Sequence, residues 1–234
     1  MDVARLFFHP SGAPKRVSVV ALASHVENVA RLAQAWSPDL AYRAPSECDL
    51  AKTQAQLLEA AHRHDEAKPV TFRVTHDDGR WGYSFAGHRF RVSCDELYVG
   101  ALIEMHHEFS VDGVAEWQAR LRRELDDVHA ANFPFDLYTL EMCDQVAAEA
   151  ESYAFSGDAD ERAFMELHSR KRQDDPLTVE VEPFPFAPSP LPLVVAHAEF
   201  TVSDDLRTPP KLTEALKQWA PDDLLERTVT LCSP

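Results

Sequence analysis

The apolar and polar positions change period several times along the chain, and those changes mark its elements. Val3 to Phe8 is a short apolar run expected to form a strand, closed by His9-Pro10-Ser11-Gly12. Val19, Leu22, Ala23, Val26, Val29, Ala30 and Ala33 then recur at helical spacing, with Ser18 placed as N-cap and Ser37-Pro38 as the stop. A second helix is expected over about residues 47–65, with Leu50, Gln54, Leu57, Leu58 and Ala61 on its inner face and Pro69 ending it. Residues 70–74 read as extended. Residues 76–91 are polar and aromatic, are broken by Gly79, Gly82 and Gly87, and read as a long loop, a kind of segment that is often functional.

A third helix is expected over about residues 95–107, with Leu97, Ala101, Leu102 and Met105 buried, and another over residues 111–130. Pro134 is placed at the start of a helix running to about Tyr153, with Leu137, Leu140, Ala147 and Ala148 inward. From about Pro176 the prolines crowd together and exclude long helices. Residues 177–202 read as edge strands or extended chain, followed by a short helix over about residues 210–219. The resulting expectation is a mainly α fold. A helical domain spans residues 1–172, and a mixed extended and helical appendage spans residues 173–234, Pro-rich and containing short strands. There are no internal repeats.

Composition narrows this picture. The chain has 234 residues, of which 45% are hydrophobic, enough for a sizeable core. The 23 basic residues against 39 acidic ones give a net charge of −16. A chain this acidic does not grip nucleic acid through its overall charge; a polyanionic substrate needs a local basic track, a metal site or a partner that delivers it. The four cysteines are far apart, so neither a Cys-rich zinc site nor a disulfide framework is expected. No apolar run has the length of a membrane span, and no signal peptide is evident, so the expected compartment is the cytoplasm.

The candidate chemistry lies in polar residues on apolar faces. His25 falls between Leu22 and Val29 on the first helix, and Asp144 between Leu140 and Ala147 on a later one. His64 and Asp65 continue the inner face of the second helix. Adjacent helical side chains diverge by roughly 100°, so this dipeptide can approach an ion from two directions. His88 sits in the long loop, and His106-His107 ends the third helix. Taken singly, His25 serves equally well as a core histidine, His88 as a solvated one, and Asp144 as the partner of a basic side chain. Taken together they are an imidazole-rich set with a few carboxylates, suited to iron, manganese, cobalt, nickel or zinc. The set exceeds the needs of one ion and points to two metals with Asp65 between them.

In order and rough spacing these residues resemble the HD phosphohydrolase superfamily, named for its His-Asp dipeptide. More closely, they resemble the HD nuclease domain of the CRISPR-associated type I helicase–nuclease. The matching positions, across roughly residues 20–155, are His25, His64-Asp65-Glu66-Ala67-Lys68, His88, His106-His107 and Asp144-Gln145-Val146-Ala147. The His-His pair after the loop histidine separates this branch from HD phosphatases with four ligands. Ala67 stands where the family has glycine, and residues after 172 match nothing in it.

The resemblance implies an HD-type helical bundle and a metal-dependent nuclease that hydrolyses single-stranded DNA in type I CRISPR interference. It implies one divalent metal on His25, His64, Asp65 and Asp144, and a second on Asp65, His88, His106 and His107. A His-rich set favours manganese, iron, cobalt or nickel over magnesium. The implied partners are single-stranded DNA, a helicase and a surveillance complex, with no membrane. The chain has no Gly-x-x-x-x-Gly-Lys-Ser/Thr loop, so the helicase belongs to another polypeptide or another part of a longer one. The alternative within the superfamily is hydrolysis of nucleotides or cyclic dinucleotides in a compact pocket.

Around the ligands, Lys68 lies one helical turn from Asp65, either to neutralise a phosphate oxygen or as a solvated surface lysine. Arg89 and Arg91 flank His88 and are the local candidates for contacting a nucleic-acid backbone. Phe85 and Phe90 could stack unpaired bases or pack in the core. His9, His62, His76, His129, His168 and His197 read as non-ligands, and Arg170-Lys171-Arg172 as a solvated helix end.

Overall fold

The computed structural model describes residues 1–8, 14–36, 50–108, 110–155, 169–171, 178–181 and 190–232. Two strands open the chain, β1 (Val3–Phe8) and β2 (Arg16–Ala21), paired antiparallel. Ser18 is therefore inside a strand and caps no helix; its hydroxyl donates to Glu199 at 3.1 Å. The β-branched run explains the difference. Val17 and Val19 pack on one side of the sheet and Val20 on the other, all fully buried. A strand covered on both faces loses its polar alternation and merges in sequence with the helix that follows.

That helix, α1 (Leu22–Trp36), begins directly at the end of β2. It is followed by α2 (Leu50–Arg63), the short α3 (Lys68–Thr71), a hairpin of β3 (Arg73–Asp77) and β4 (Arg80–Ser84), and a 3-10 turn at His88–Arg91. The expected loop at residues 76–91 is thus largely a hairpin. Asp78 and Gly79, both at positive φ, make its tight turn. Next come α4 (Leu97–Met105), α5 (Val111–Glu124) and α6 (Asp127–Phe155).

Pro134 lies inside α6 and not at its start. Its missing N–H leaves the Ala130 carbonyl without the usual helical donor. The Gln118 side chain on α5 supplies one, donating to that oxygen at 2.9 Å.

After α6 come β5 (Ser169–Lys171), β6 (Thr178–Val181), β7 (Leu191–Thr201), α7 (Pro209–Gln218) and β8 (Leu225–Cys232). Arg170 and Lys171 are therefore in a strand and do not end a helix. The sheet order is β1-β2-β7-β8-β6-β5, antiparallel except for β6 beside β8. β7, expected at an edge, lies between β2 and β8. Pro192 is tolerated there because β2 pairs only with residues 197–201, leaving the start of β7 open on that side. Residues 47–49, most of the Pro-rich stretch, His9 and His168 lie outside the described residues.

The fold is mixed α/β, and the expectation of a mainly α bundle is corrected. The helices α1, α2, α4 and α6 share a core with Val20, Leu193, Val195, Val229 and Leu231 of the sheet. The opposite face, through Leu6, Val17 and Val19, packs against Phe72, against Val74 of the hairpin and against Leu212 and Leu216 of α7. The sheet joins strands from both ends of the chain, and no local pattern reports such pairing.

One contact fixes the helical layer on the sheet. Asn28 donates to the Val194 carbonyl at 2.7 Å and accepts from the Val194 N–H at 3.0 Å, so its amide stands in for a neighbouring strand. Ser24, one turn earlier, accepts from Ala196 N–H at 3.2 Å. With Ser24 and Asn28 committed to β7, the neighbouring face of α1 turns His25 toward α2 and α6. Among the described residues no helix is long and apolar enough to cross a membrane.

Candidate metal centre

Five elements deliver the polar residues to one place. His25 comes from the first turn of α1, and His64 and Asp65 from the turn that directly follows α2, which ends at Arg63 and not at Asp65 as expected. His88 opens the 3-10 turn, His106 and His107 end α4, and Asp144 lies midway along α6. Gly87, at φ 71°, makes the left-handed bend that turns His88 inward. Ala67 sits at φ −94°, so the turn between α2 and α3 requires no glycine.

All of these side chains are buried except His107, which is exposed. Their ligand atoms form two groups, His25, His64, Asp65 and Asp144 in one and His88, His106 and His107 in the other. Within each group the atoms lie within 4.8 Å of one another, and either group could hold a metal ion. Asp65 reaches both: its Oδ2 lies 3.3 Å from the Nε2 atoms of His25 and His64, and its Oδ1 lies 3.1 Å from His88 Nε2. Asp144 Oδ1 lies 3.0 Å from His25 Nε2 and 3.8 Å from His64 Nε2.

The ring orientations are set from behind. His64 Nδ1 meets the Ala61 carbonyl at 2.8 Å, His88 Nδ1 the Phe85 carbonyl at 2.9 Å, and His106 Nδ1 the Ile103 carbonyl at 2.6 Å. A carbonyl only accepts, so each Nδ1 carries its proton and each Nε2 faces the centre. His25 Nδ1 donates in the same way to Glu151 Oε1 at 2.9 Å. Glu151 is fully buried on α6, two turns beyond Asp144 and on the same face.

This arrangement tests whether an ion fits. His25 Nε2, His64 Nε2 and Asp65 Oδ1 are buried and make no hydrogen bond, although they lie close to one another, while Asp65 Oδ2 carries the ion pair with Lys68. His88 Nε2 and His106 Nε2 face each other at 3.3 Å. Two imidazole acceptors stay at that distance only with a proton or a cation between them, since buried polar atoms are otherwise paired. Histidines held through Nδ1, with Nε2 atoms converging on carboxylates, are the donor set of a metal site with its supporting shell. The residues fit a metal ion.

Electrostatics divide the centre. Burial alone would lower the His64 pKa, but the Asp65 and Asp144 carboxylates outweigh it and hold it at about 9. Burial likewise opposes the charged form of His25, yet Glu151, Asp144 and Asp65 raise its pKa well above the usual histidine value. Asp65 and Asp144 are held well below the ordinary carboxylate range by the imidazoles, and for Asp65 also by Lys68, against the effect of burial. His106 is pushed well down by burial and by its neighbours His64 and His107. The carboxylate side attracts positive charge, whereas on the other side burial disfavours the charged forms of His106 and His107.

Lys68 is buried, ion-paired with Asp65 and seated 5.1 Å from the Phe85 ring centre. It also lines a cavity of about 400 Å³ that opens onto His25 and Asp144. Arg5, Tyr83 and Phe85 line it as well. Arg89 and Arg91 do not line this cavity. Arg89 turns toward Glu108 at 4.0 Å and stacks on Phe90, and Arg91 is exposed. The cation that joins Lys68 at the cavity is thus Arg5, which packs over Phe7 and donates to the Ala148 carbonyl. Sequence reasoning passed over Arg5, Tyr83 and Glu151, and no local signal marks them.

Comparison of the chain with protein-family models, curated proteins and solved structures gives no match.

Proposed function

We propose that this protein is a metal-dependent phosphohydrolase of the HD type that cleaves single-stranded DNA, acting in a type I CRISPR system with a separate helicase and a surveillance complex. The observation that carries the hydrolase reading is the convergence of anchored Nε2 atoms on the two oxygens of Asp65. His25, His64, Asp65 and Asp144 would hold one divalent ion, and Asp65, His88, His106 and His107 a second, with manganese, iron, cobalt or nickel suited to the ligands. Bound ions supply Lewis-acid polarisation of a phosphodiester and an acidified water.

The chain's own residues do the rest. Glu151 and the backbone carbonyls keep the imidazoles oriented. Lys68, at the boundary between Asp65 and the cavity, is placed to meet a phosphate oxygen. Two cations at the cavity, Lys68 and Arg5, give local attraction for a polyanion on a chain of net charge −16. A flexible strand can enter so local a track, whereas a stiff duplex would lay its phosphates against acidic surface. The DNA, CRISPR and helicase parts of the reading rest on the resemblance of the ligand order to the HD nuclease branch. A second reading, hydrolysis of nucleotides or cyclic dinucleotides, is favoured by the modest cavity volume of about 400 Å³.

The experiment is metal analysis of the purified protein followed by hydrolysis assays on single-stranded DNA, duplex DNA and a panel of nucleotides and cyclic dinucleotides. The expected result is one or two transition-metal equivalents, cleavage of single strands, duplex largely untouched, and loss of both metal and cleavage in Asp65→Asn. Consumption of nucleotides but not DNA would select the second reading. A metal-loaded protein inert on every substrate would overturn both.

A further inference from the structure

The lining of the cavity beside the metal centre is of two chemical kinds. His25, Asp144 and Lys68 belong to the metal centre, where a phosphate would be expected. Tyr83, Phe85, Gln145 and Glu149 complete the lining, with the Phe85 ring centre 5.1 Å from the Lys68 ammonium. Tyr83 lies in β4 and Phe85 just past its end, with their ring centres 5.6 Å apart and edge to face. Gln145 and Glu149 are one turn apart on α6, next to Asp144 on the same helix.

Glu149 decides what can occupy this part of the cavity. Its Oε2 is buried and has no hydrogen-bond partner. The nearby guanidinium of Arg5, which donates to the Ala148 carbonyl and packs over Phe7, attracts Glu149 through space but leaves this oxygen without a hydrogen bond. An unpaired carboxylate oxygen repels a second phosphate and calls for an N–H donor. A flat group that carries such donors and stacks on aromatic rings is a nucleobase. Carboxylates accept from the exocyclic amine of cytosine, and Gln pairs with the amino edge of adenine. Thymine has no exocyclic amine.

We propose that this cavity is a nucleobase subsite that prefers bases bearing an exocyclic amino group, with Tyr83 and Phe85 against the ring and Glu149 and Gln145 reading its edge. The proposal deepens the phosphohydrolase reading and rests on it for the position of the phosphate. It places the nucleotide's phosphate at Lys68 and its base against the hairpin, so the hairpin sets which nucleotide sits beside the metals.

The test is calorimetric titration of the metal-loaded full chain with dCMP, dAMP and dTMP, with KM measured on homopolymeric oligonucleotides in parallel. Wild type is expected to bind dCMP and dAMP about tenfold more tightly than dTMP. Glu149→Gln should erase most of that preference by weakening dCMP while leaving dTMP nearly unchanged. Tyr83→Leu, which keeps apolar volume but removes the ring, should weaken all three by about tenfold. Metal content and circular dichroism should match wild type in both variants. Equal affinity for the three nucleotides, absence of binding, or an unaltered preference in Glu149→Gln would overturn the subsite. Selective nucleotide binding without phosphodiester hydrolysis would instead retain the subsite and remove the nuclease reading. Cleavage of DNA with no base preference in KM or binding would do the reverse.

Discussion

Glu151 shows how much of the centre depends on a residue that need touch no ion. It is fully buried, and its Oε1 accepts from His25 Nδ1 at 2.9 Å. A carboxylate behind a ligating imidazole fixes the ring and raises its basicity, and its loss typically costs metal affinity about 10–100-fold. Glu151→Gln keeps the volume and removes the charge. The expected outcome is a drop in metal affinity of about that size, seen in a competition titration against a chelator, with an unchanged circular dichroism spectrum. Unchanged affinity would show that Glu151 serves packing alone. Asp65 acts differently, because both of its oxygens face imidazoles and Lys68 pairs with it as well. Replacing it removes the group that faces both ligand groups.

At the level of elements, the helical layer depends on repairs made by side chains. Pro134 frees the Ala130 carbonyl inside α6, and Gln118 from α5 fills the gap. A buried acceptor left unpaired costs about 1–3 kcal/mol. Gln118→Ala should therefore lower stability by about that amount in chemical denaturation. Pro134→Ala restores an N–H, so in that background Gln118→Ala should cost much less. Equal costs in both backgrounds would refute the coupling. The Asn28 amide performs a similar service for β7, and through it the sheet fixes where α1 presents His25. The hairpin of β3 and β4 likewise supplies the aromatic wall of the cavity, although its sequence, rich in glycine and polar residues, reads as loop.

On the scale of the whole molecule, metal binding, protonation and stability are linked. In the metal-free protein His64 titrates at about 9, against about 6.5 in an unfolded chain. Its raised value means that the folded state binds the proton more tightly. The stability this contributes is complete below pH 6.5 and is lost as pH rises through 9. Bound metal replaces that proton and competes better as pH rises. Thermal melts of chelated protein should therefore show Tm falling between pH 6.5 and 9. The metal-loaded protein should not follow, and the gap between the two should widen. Parallel curves would exclude His64 as a ligand. His106, whose pKa is lowered, acts below this window, where protonation opposes folding.

The ligand residues were legible in the amino-acid sequence because a histidine or carboxylate on an apolar helical face violates a local pattern. His25, His64, Asp65 and Asp144 could be named that way, His88 from its place in the long stretch between helices and His106-His107 as an adjacent pair at a helix end, and the folded chain brings them together. Most helices were legible too, since their apolar period lies within a few turns. The sheet was not, because β2 is buried on both faces and pairs with a strand from the far end of the chain. Nor were Glu151 and Arg5, whose contacts with His25 and Ala148 span 126 and 143 residues of sequence. Residue type and spacing determined which side chains can carry the chemistry. Only the tertiary structure decided which charges stand behind them and which wall faces the substrate, because those contacts form between segments that have no pattern in common.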